Sequence, residues 1–280
     1  MNSPSEIRTG PIPPIPLHEY ERWKFSGTLA GRPKNLTVFS RGEGPSILLL
    51  QELPGINRWL LWFADRLVGR GFRVHIPHLF GPLEKSAEKA NLVKILLFRR
   101  REFRLFDADR PSPIVECLFQ LCDHIRAESD TPGIATIGMS LTGSFAISLM
   151  ACDSVWAAVS AQPALPARNP QALHMSPADI QFIRGEIDKK GSILAYRFQT
   201  DPLCPLARFD ALDHAFNDPG QPPRIQVSGA SVIPGEGHSV FTHHFNGAAN
   251  HPTQIAFEEI VNYLQKRLSL IHISEPTRPY

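Results

Sequence analysis

The feature that most constrains this chain is an alternation. Short strand-like runs, most of them largely apolar, at 46–50, 72–76, 134–137, 155–160, 193–198 and 224–227, are each followed by a helix-spaced stretch, at 59–68, 113–127, 141–151, 177–190, 205–216 and 253–267. Continuous apolar runs of this length read as strands buried on both faces. Repeated strand–helix–strand units then imply an α/β fold, a mostly parallel sheet with helices on both faces. Two more strand-like segments, 23–29 and 36–39, are split by Gly31-Arg-Pro33 and read as an opening hairpin. Sheets of this kind bind ligands beyond the C-terminal ends of their strands, so residues that carry chemistry are expected in the loops after the apolar runs.

Composition narrows the function classes. With 280 residues, 42% hydrophobic and 20% charged, the chain can bury one sizeable globular core. Its formal net charge of +2 gives no footprint for nucleic acid, since basic residues are scattered apart from Arg99, Arg100, Arg101 and Arg104. The most apolar runs, 47–50 and 92–98, are far shorter than the roughly 20 residues of a membrane span, so no membrane partner is expected. Cys117, Cys122, Cys152 and Cys204 form neither a C-x-x-C pair nor a zinc spacing, which fits reduced thiols in a cytoplasmic protein. No secretory leader pattern opens the chain. Oligomeric state is left open.

Three regions follow from this. Residues 1–19 read as a Pro-rich lead, 20–267 as the folded domain, and 268–280 as the translation of a sequencing-library adapter that takes no part in folding. Within the domain, only 82–110 falls outside the alternation. Its helix-spaced Leu92, Ile95, Leu96 and Phe103, with arginines on the other side, suit an excursion over the mouth of a site; a solvated helix face is the plainer reading of each arginine.

The densest signal lies at 134–149. A β-branched run meets Gly138-Met-Ser140 and passes at once into a small, helix-compatible stretch, as a strand–nucleophile–helix elbow requires. Such a turn lifts the Ser140 hydroxyl out of the sheet edge, and the helix behind it aims N–H groups at the same point. Thr142 stands where G-x-S-x-G has its second glycine, with Gly143 one place later. A serine hydroxyl needs a base, and the base needs a group that fixes its tautomer. Asp201, after the strand at 193–198, and His238, after the strand at 224–227, meet those needs in the order Ser, Asp, His. His243, His244 and His251 lack the flanking glycines of His238 and read as packing or surface residues, and Cys204 as a small buried one.

At these residues the chain resembles the dienelactone hydrolase family of the α/β-hydrolase superfamily. The matching pieces are Gln51-Glu52-Leu53-Pro-Gly-Ile-Asn57, Val74-His-Ile-Pro-His-Leu-Phe-Gly81, Ile137-Gly-Met-Ser140-Leu-Thr-Gly143, Asp201-Pro-Leu-Cys-Pro205 and Gly237-His238-Ser239, spread over 45–267. The resemblance implies the α/β-hydrolase fold, a Ser140–His238–Asp201 triad, an acyl-enzyme on Ser140, and an oxyanion hole from the backbone N–H groups of Leu53 and Leu141. It also implies that Glu52 contacts the nucleophile.

Two departures from the family matter. Ser140 replaces the usual cysteine, so activity leans more heavily on His238 as base. Thr242 stands where dienelactone hydrolase has an arginine for the substrate carboxylate, which leaves Arg100 and Arg101 as candidate substrate contacts. The expected activity is cleavage of a small-molecule carboxylic ester or lactone, without cofactor or metal. The rival from another class is a non-catalytic binding or regulatory protein on the same fold.

Overall fold

A computed structural model describes residues 15–84, 103, 107, 109–129, 131 and 133–270. In chain order its strands are β1 (Glu21–Leu29), β2 (Arg32–Arg41), β3 (Ser46–Leu49), β4 (Arg73–Pro77), β5 (Ile134–Met139), β6 (Val155–Ala161), β7 (Ile193–Thr200), β8 (Ile225–Gln226) and β9 (Val232–Glu236). The helices are α1 (Arg58–Val68), α2 (Ile114–Ala127), α3 (Gly143–Ser148), α4 (Pro177–Lys190), α5 (Leu206–Phe216) and α6 (Pro252–Leu270). The sheet runs β1-β2-β4-β3-β5-β6-β7-β8, with β9 paired to β7. The β1–β2 hairpin and the β2–β4 pair are antiparallel; every other pair is parallel.

Period-two alternation inside the apolar runs builds two cores at once. Leu48 and Leu50 face the side that carries Leu118 and Leu121 of α2, Phe145 of α3 and Ile187 of α4. Ile47 and Leu49 face the other side, with Phe63 of α1 and Phe257 and Leu264 of α6. A strand apolar at every position is therefore what a sheet covered on both faces needs. Helix starts follow ordinary capping chemistry. Asn57 Oδ1 accepts from the Trp59 and Leu60 N–H groups at 2.9 and 3.1 Å, and Ser176 and Asp179 exchange bonds around Pro177.

The expected helix at 141–151 is instead a short α3 between two 3₁₀ turns, Ser140–Thr142 and Leu149–Ala151. Competing donors account for this: Ala164 N–H takes the Ser140 carbonyl at 3.0 Å, Ser160 Oγ that of Gly143 at 2.9 Å, and Ser148 Oγ that of Ser144 at 3.1 Å. The expected strand at 224–227 shrinks to the two residues of β8, and β9 was not anticipated. Only Val232 and Ile233 precede Pro234 and Gly235 there, a pattern that reads as a turn.

Both domain boundaries also shift. The Ile15 N–H donates to Asp65 Oδ2 at 2.7 Å, the Leu17 N–H to Glu84 Oε1 at 2.8 Å, and Leu17 is buried, so the folded unit includes part of the lead. At the other end α6 continues to Leu270, and Leu268, only 1% exposed, packs in the second core. The expected boundary at 267 thus falls within α6. No helix among the described residues is long and apolar enough to cross a membrane. Leu268→Ala is expected to cost about 2–5 kcal/mol in urea unfolding, as buried Leu truncations do, and removal of 268–280 at least as much. An unchanged unfolding midpoint would show that Leu268 does not pack.

Candidate active site

The elbow is built by close backbone approach. Ser140 sits at φ +54°, in the left-handed region that L-residues rarely occupy. A Cβ on Gly138 would come within 2.1 Å of the Thr142 carbonyl oxygen, and one on Gly143 within 2.7 Å of Pro163 Cα. Both positions therefore require glycine. Thr142, where the motif has its second glycine, supplies bonds instead: its Oγ1 accepts from the Met139 N–H at 3.0 Å and lies 3.2 Å from the Gln51 carbonyl. It ties the elbow to the end of β3.

Strand pairing brings the other two residues to Ser140. β9 runs parallel to β7 with Thr200 opposite Glu236, so Asp201 and His238 leave neighbouring strand ends together. His238 Nε2 lies 2.8 Å from Ser140 Oγ, and His238 Nδ1 lies 2.9 Å from both carboxylate oxygens of Asp201. The tautomer that satisfies both contacts carries its proton on Nδ1 and accepts from the serine hydroxyl. The Asp201 side chain has no solvent exposure, and its Oδ1 also accepts from the Leu203 and Cys204 N–H groups at 2.9 Å. Buried Arg197 holds this loop by donating Nε to the Cys204 carbonyl at 2.7 Å and a second nitrogen to that of Gln199 at 3.0 Å.

The rival candidates are engaged elsewhere. His244 Nδ1 accepts from the Ser239 N–H at 3.2 Å, His243 packs edge-on against Trp59, and His251 bonds Thr253. Burial pushes the Cys204 thiol up to about 12, which removes it as a thiolate nucleophile. Leu53 and Leu141 follow β3 and Ser140 and share one core. Leu141 lies in the first turn after Ser140, where backbone N–H groups have no partner within the helix. Phe103, from the 82–110 excursion, is buried between Phe80 and Phe145, at ring separations of 5.5 and 5.7 Å. Arg100 and Arg101 lie outside the described residues. No group of three or more His, Cys, Asp or Glu residues among the described ones is arranged to hold a metal ion.

Glu52, expected to contact the nucleophile, is hydrogen-bonded to the segment that carries His238. Its hydrogen bonds go to Gln162 Nε2 at 3.1 Å, to Ser239 Oγ at 3.1 Å and to the Thr242 hydroxyl. It thus joins the loop after β3 to the loop after β6 and to the segment that carries His238. Burial raises the Glu52 carboxyl, opposed by the Thr242 bond, the nearby His238 and the bonds from Ser239 and Gln162. Sequence reasoning missed Gln162 and Ser239 as supports and read Thr242 only as a lost arginine. The available signal was position, since Gln162 follows the C-terminal end of β6, where α/β sheets hold their ligands.

No family model matches this sequence, and no curated protein matches it. Solved structures do match. A dienelactone hydrolase-like promiscuous phosphotriesterase from metagenomic libraries superposes with a TM-score of 0.63 at 16% identity, over 89% of this chain and 98% of its own. A protein of Klebsiella pneumoniae assigned by name to the dienelactone hydrolases gives 0.57 at 12% identity, over 88% and 99%. A cold-adapted esterase from an Arctic intertidal metagenomic library gives 0.55 at 18% identity, over 89% and 97%. With the strand order above, these likenesses show that the chain has the α/β-hydrolase fold.

Two outcomes follow from the packing. Gly138→Ala should destabilise by at least about 2 kcal/mol, since its Cβ meets backbone rather than a movable side chain. Unaltered thermal unfolding of that variant would refute the close approach. For Glu52, a folded-state pKa above the usual 4.5 means that the unfolded chain releases the proton first, so the group opposes folding increasingly as pH rises through and above 4.5. Stability of the wild type relative to Glu52→Gln should therefore fall between acid and neutral pH. A flat difference in urea midpoints across that range would contradict the raised value.

Proposed function

We propose that this chain is a serine hydrolase of the dienelactone hydrolase family that cleaves small carboxylic esters or lactones. The observation that carries the reading is the continuous hydrogen-bonded line from Ser140 Oγ through His238 to Asp201, at 2.8 and 2.9 Å. His238 Nε2 takes the serine proton as Oγ attacks the carbonyl carbon. Charge that develops on the carbonyl oxygen is met by the N–H groups of Leu53 and Leu141. The imidazolium, stabilised by Asp201, then gives its proton to the leaving alkoxide. An acyl-Ser140 remains, and a water activated by the same imidazole hydrolyses it. No step calls on a cofactor or metal.

Charge around the site favours uncharged substrates. Of the buried arginines near Asp201, Arg197 is committed to the carbonyls already named, and Arg208 donates to those of Ala172, Pro166 and Asn169. Thr242 is engaged with Glu52. A substrate carboxylate would thus enter without a partner from these groups, at a cost of several kcal/mol if buried. Arg100 and Arg101 are the cations that an anionic substrate would need. The four unbridged cysteines support a cytoplasmic setting for this activity.

A panel of short neutral esters and anionic lactones, run on the wild type and on variants, tests the reading. Ser140→Ala and His238→Ala should each lower kcat by about 10⁴–10⁶, with the double variant scarcely worse, because members of one catalytic unit are non-additive. Asp201→Asn should cost about 10²–10⁴ with the fold intact. Neutral esters should be turned over at least as well as anionic lactones. Wild-type hydrolysis by folded Ser140→Ala would refute the mechanism, and a clear preference for the anionic lactone would refute the charge argument alone.

A further inference from the structure

Six described residues other than glycine adopt a positive φ, and four of them, Ala30, Glu84, Asp109 and Arg168, are exposed. The two that are buried are Ser140 and Gln162, at φ +54° and +36°. They are neighbours: Met139 of β5 pairs in register with Ala161 of β6, so the strained positions are the next residues along two adjacent strands. A left-handed residue with a side chain persists only where its surroundings over-determine it, and such positions gather at functional sites. At Ser140 the strain presents a nucleophile. At Gln162 it presents an amide.

Both ends of that amide bond toward the segment around His238. Gln162 Nε2 donates to Glu52 Oε2 at 3.1 Å, and Gln162 Oε1 accepts from the Val240 N–H at 3.4 Å. Glu52 in turn accepts from the Ser239 and Thr242 hydroxyls. Residues 239, 240 and 242, all just after His238, are thus held by one side chain, directly or through Glu52. The backbone of the same loop holds the nucleophile turn. The Gln162 N–H donates to the Tyr196 carbonyl of β7 at 2.6 Å, and two residues on the Ala164 N–H donates to the Ser140 carbonyl at 3.0 Å. Residues 162–164 therefore touch both partners of the proton transfer, and the amide is the link to the base.

We propose that Gln162 is a positioning residue that keeps the His238 imidazole at bonding distance from Ser140, an inference that rests on the hydrolytic reading above. An amide suits this place, because the Val240 N–H needs an acceptor and the Glu52 carboxylate a donor. A carboxylate at 162 would offer no donor to Glu52, and an apolar side chain would serve neither. The charged and titratable groups around the amide are Glu52 from the loop after β3 and, through Glu52, His238, with Asp201 behind His238 and His244 at the Ser239 N–H.

The test combines kinetics with a signal that needs no substrate. Gln162→Met keeps the length and removes both bonds, and Gln162→Gly accepts the left-handed backbone should the methionine variant not fold. On a short neutral ester either is expected to lower kcat about 10–10²-fold with KM little changed, as a misplaced base does. Gln162→Glu regains a donor only while it and Glu52 share one proton, since neighbouring carboxyls resist losing both. Its kcat relative to the wild type should therefore be highest at the acid end of the profile and fall as pH rises. In proton NMR, the downfield Nδ1–H resonance of His238, identified by its loss in His238→Ala, should be present in the wild type and broadened once the amide is removed. A wild type inert to every ester would refute the hydrolytic reading and leave that resonance to decide the positioning. Full kcat in folded Gln162→Met or Gln162→Gly, a loss in KM alone, a pH-independent ratio for Gln162→Glu, or a resonance absent from the wild type or unchanged by the substitution would each overturn the proposal.

Discussion

The site depends on one backbone constraint, the left-handed conformation of Ser140 at the end of β5. A non-glycine residue held there costs about 1–3 kcal/mol and persists only where its surroundings over-determine it. Here they do. Gly138 and Gly143 let backbone approach backbone, Thr142 bonds to the Met139 N–H, and the Ser140 carbonyl is taken by Ala164. The same donors break the following helix into short pieces, so the irregularity of 140–151 and the exposure of a serine hydroxyl to His238 have one cause.

Two buried carboxylates flank His238 and do different work. Asp201 meets the imidazole directly, and its Oδ1 also accepts from two backbone N–H groups, which fixes the side chain in place. Glu52 meets hydroxyls and a side-chain amide and gathers three loops at the C-terminal ends of the strands. Thr242 is coherent with this: a long cation at 242 would change the partner of Glu52, whereas the short hydroxyl bonds to it. What looks from the sequence like a missing substrate contact is, in the structure, part of the support for the His238 segment.

Much of the fold was legible because both of its cores leave a simple mark. Runs such as 46–50 and 134–137 carry apolar residues at both odd and even positions, and their strands are buried throughout, which only a sheet covered on both faces demands. The grouping of Ser140, Asp201 and His238 was readable from chain order and from their places after strands. The strand that delivers His238 was not, because Pro234 and Gly235 mask β9, whose order comes from pairing with β7 rather than from its own propensity. Gln162 and the partners of Glu52 were equally hidden, since hydrogen bonds between residues 78 to 190 positions apart leave no local pattern. Leu268 was lost to an argument about the origin of its segment, although an apolar residue one place past a helix-spaced run can still pack.

The central claim is that His238 activates Ser140, and covalent labelling reads this without any choice of substrate. A fluorophosphonate ester, followed by peptide mass mapping, should modify Ser140 in the wild type and leave it essentially unlabelled in folded His238→Ala. Absence of an adduct on Ser140, or labelling at the same rate without His238, would contradict the account.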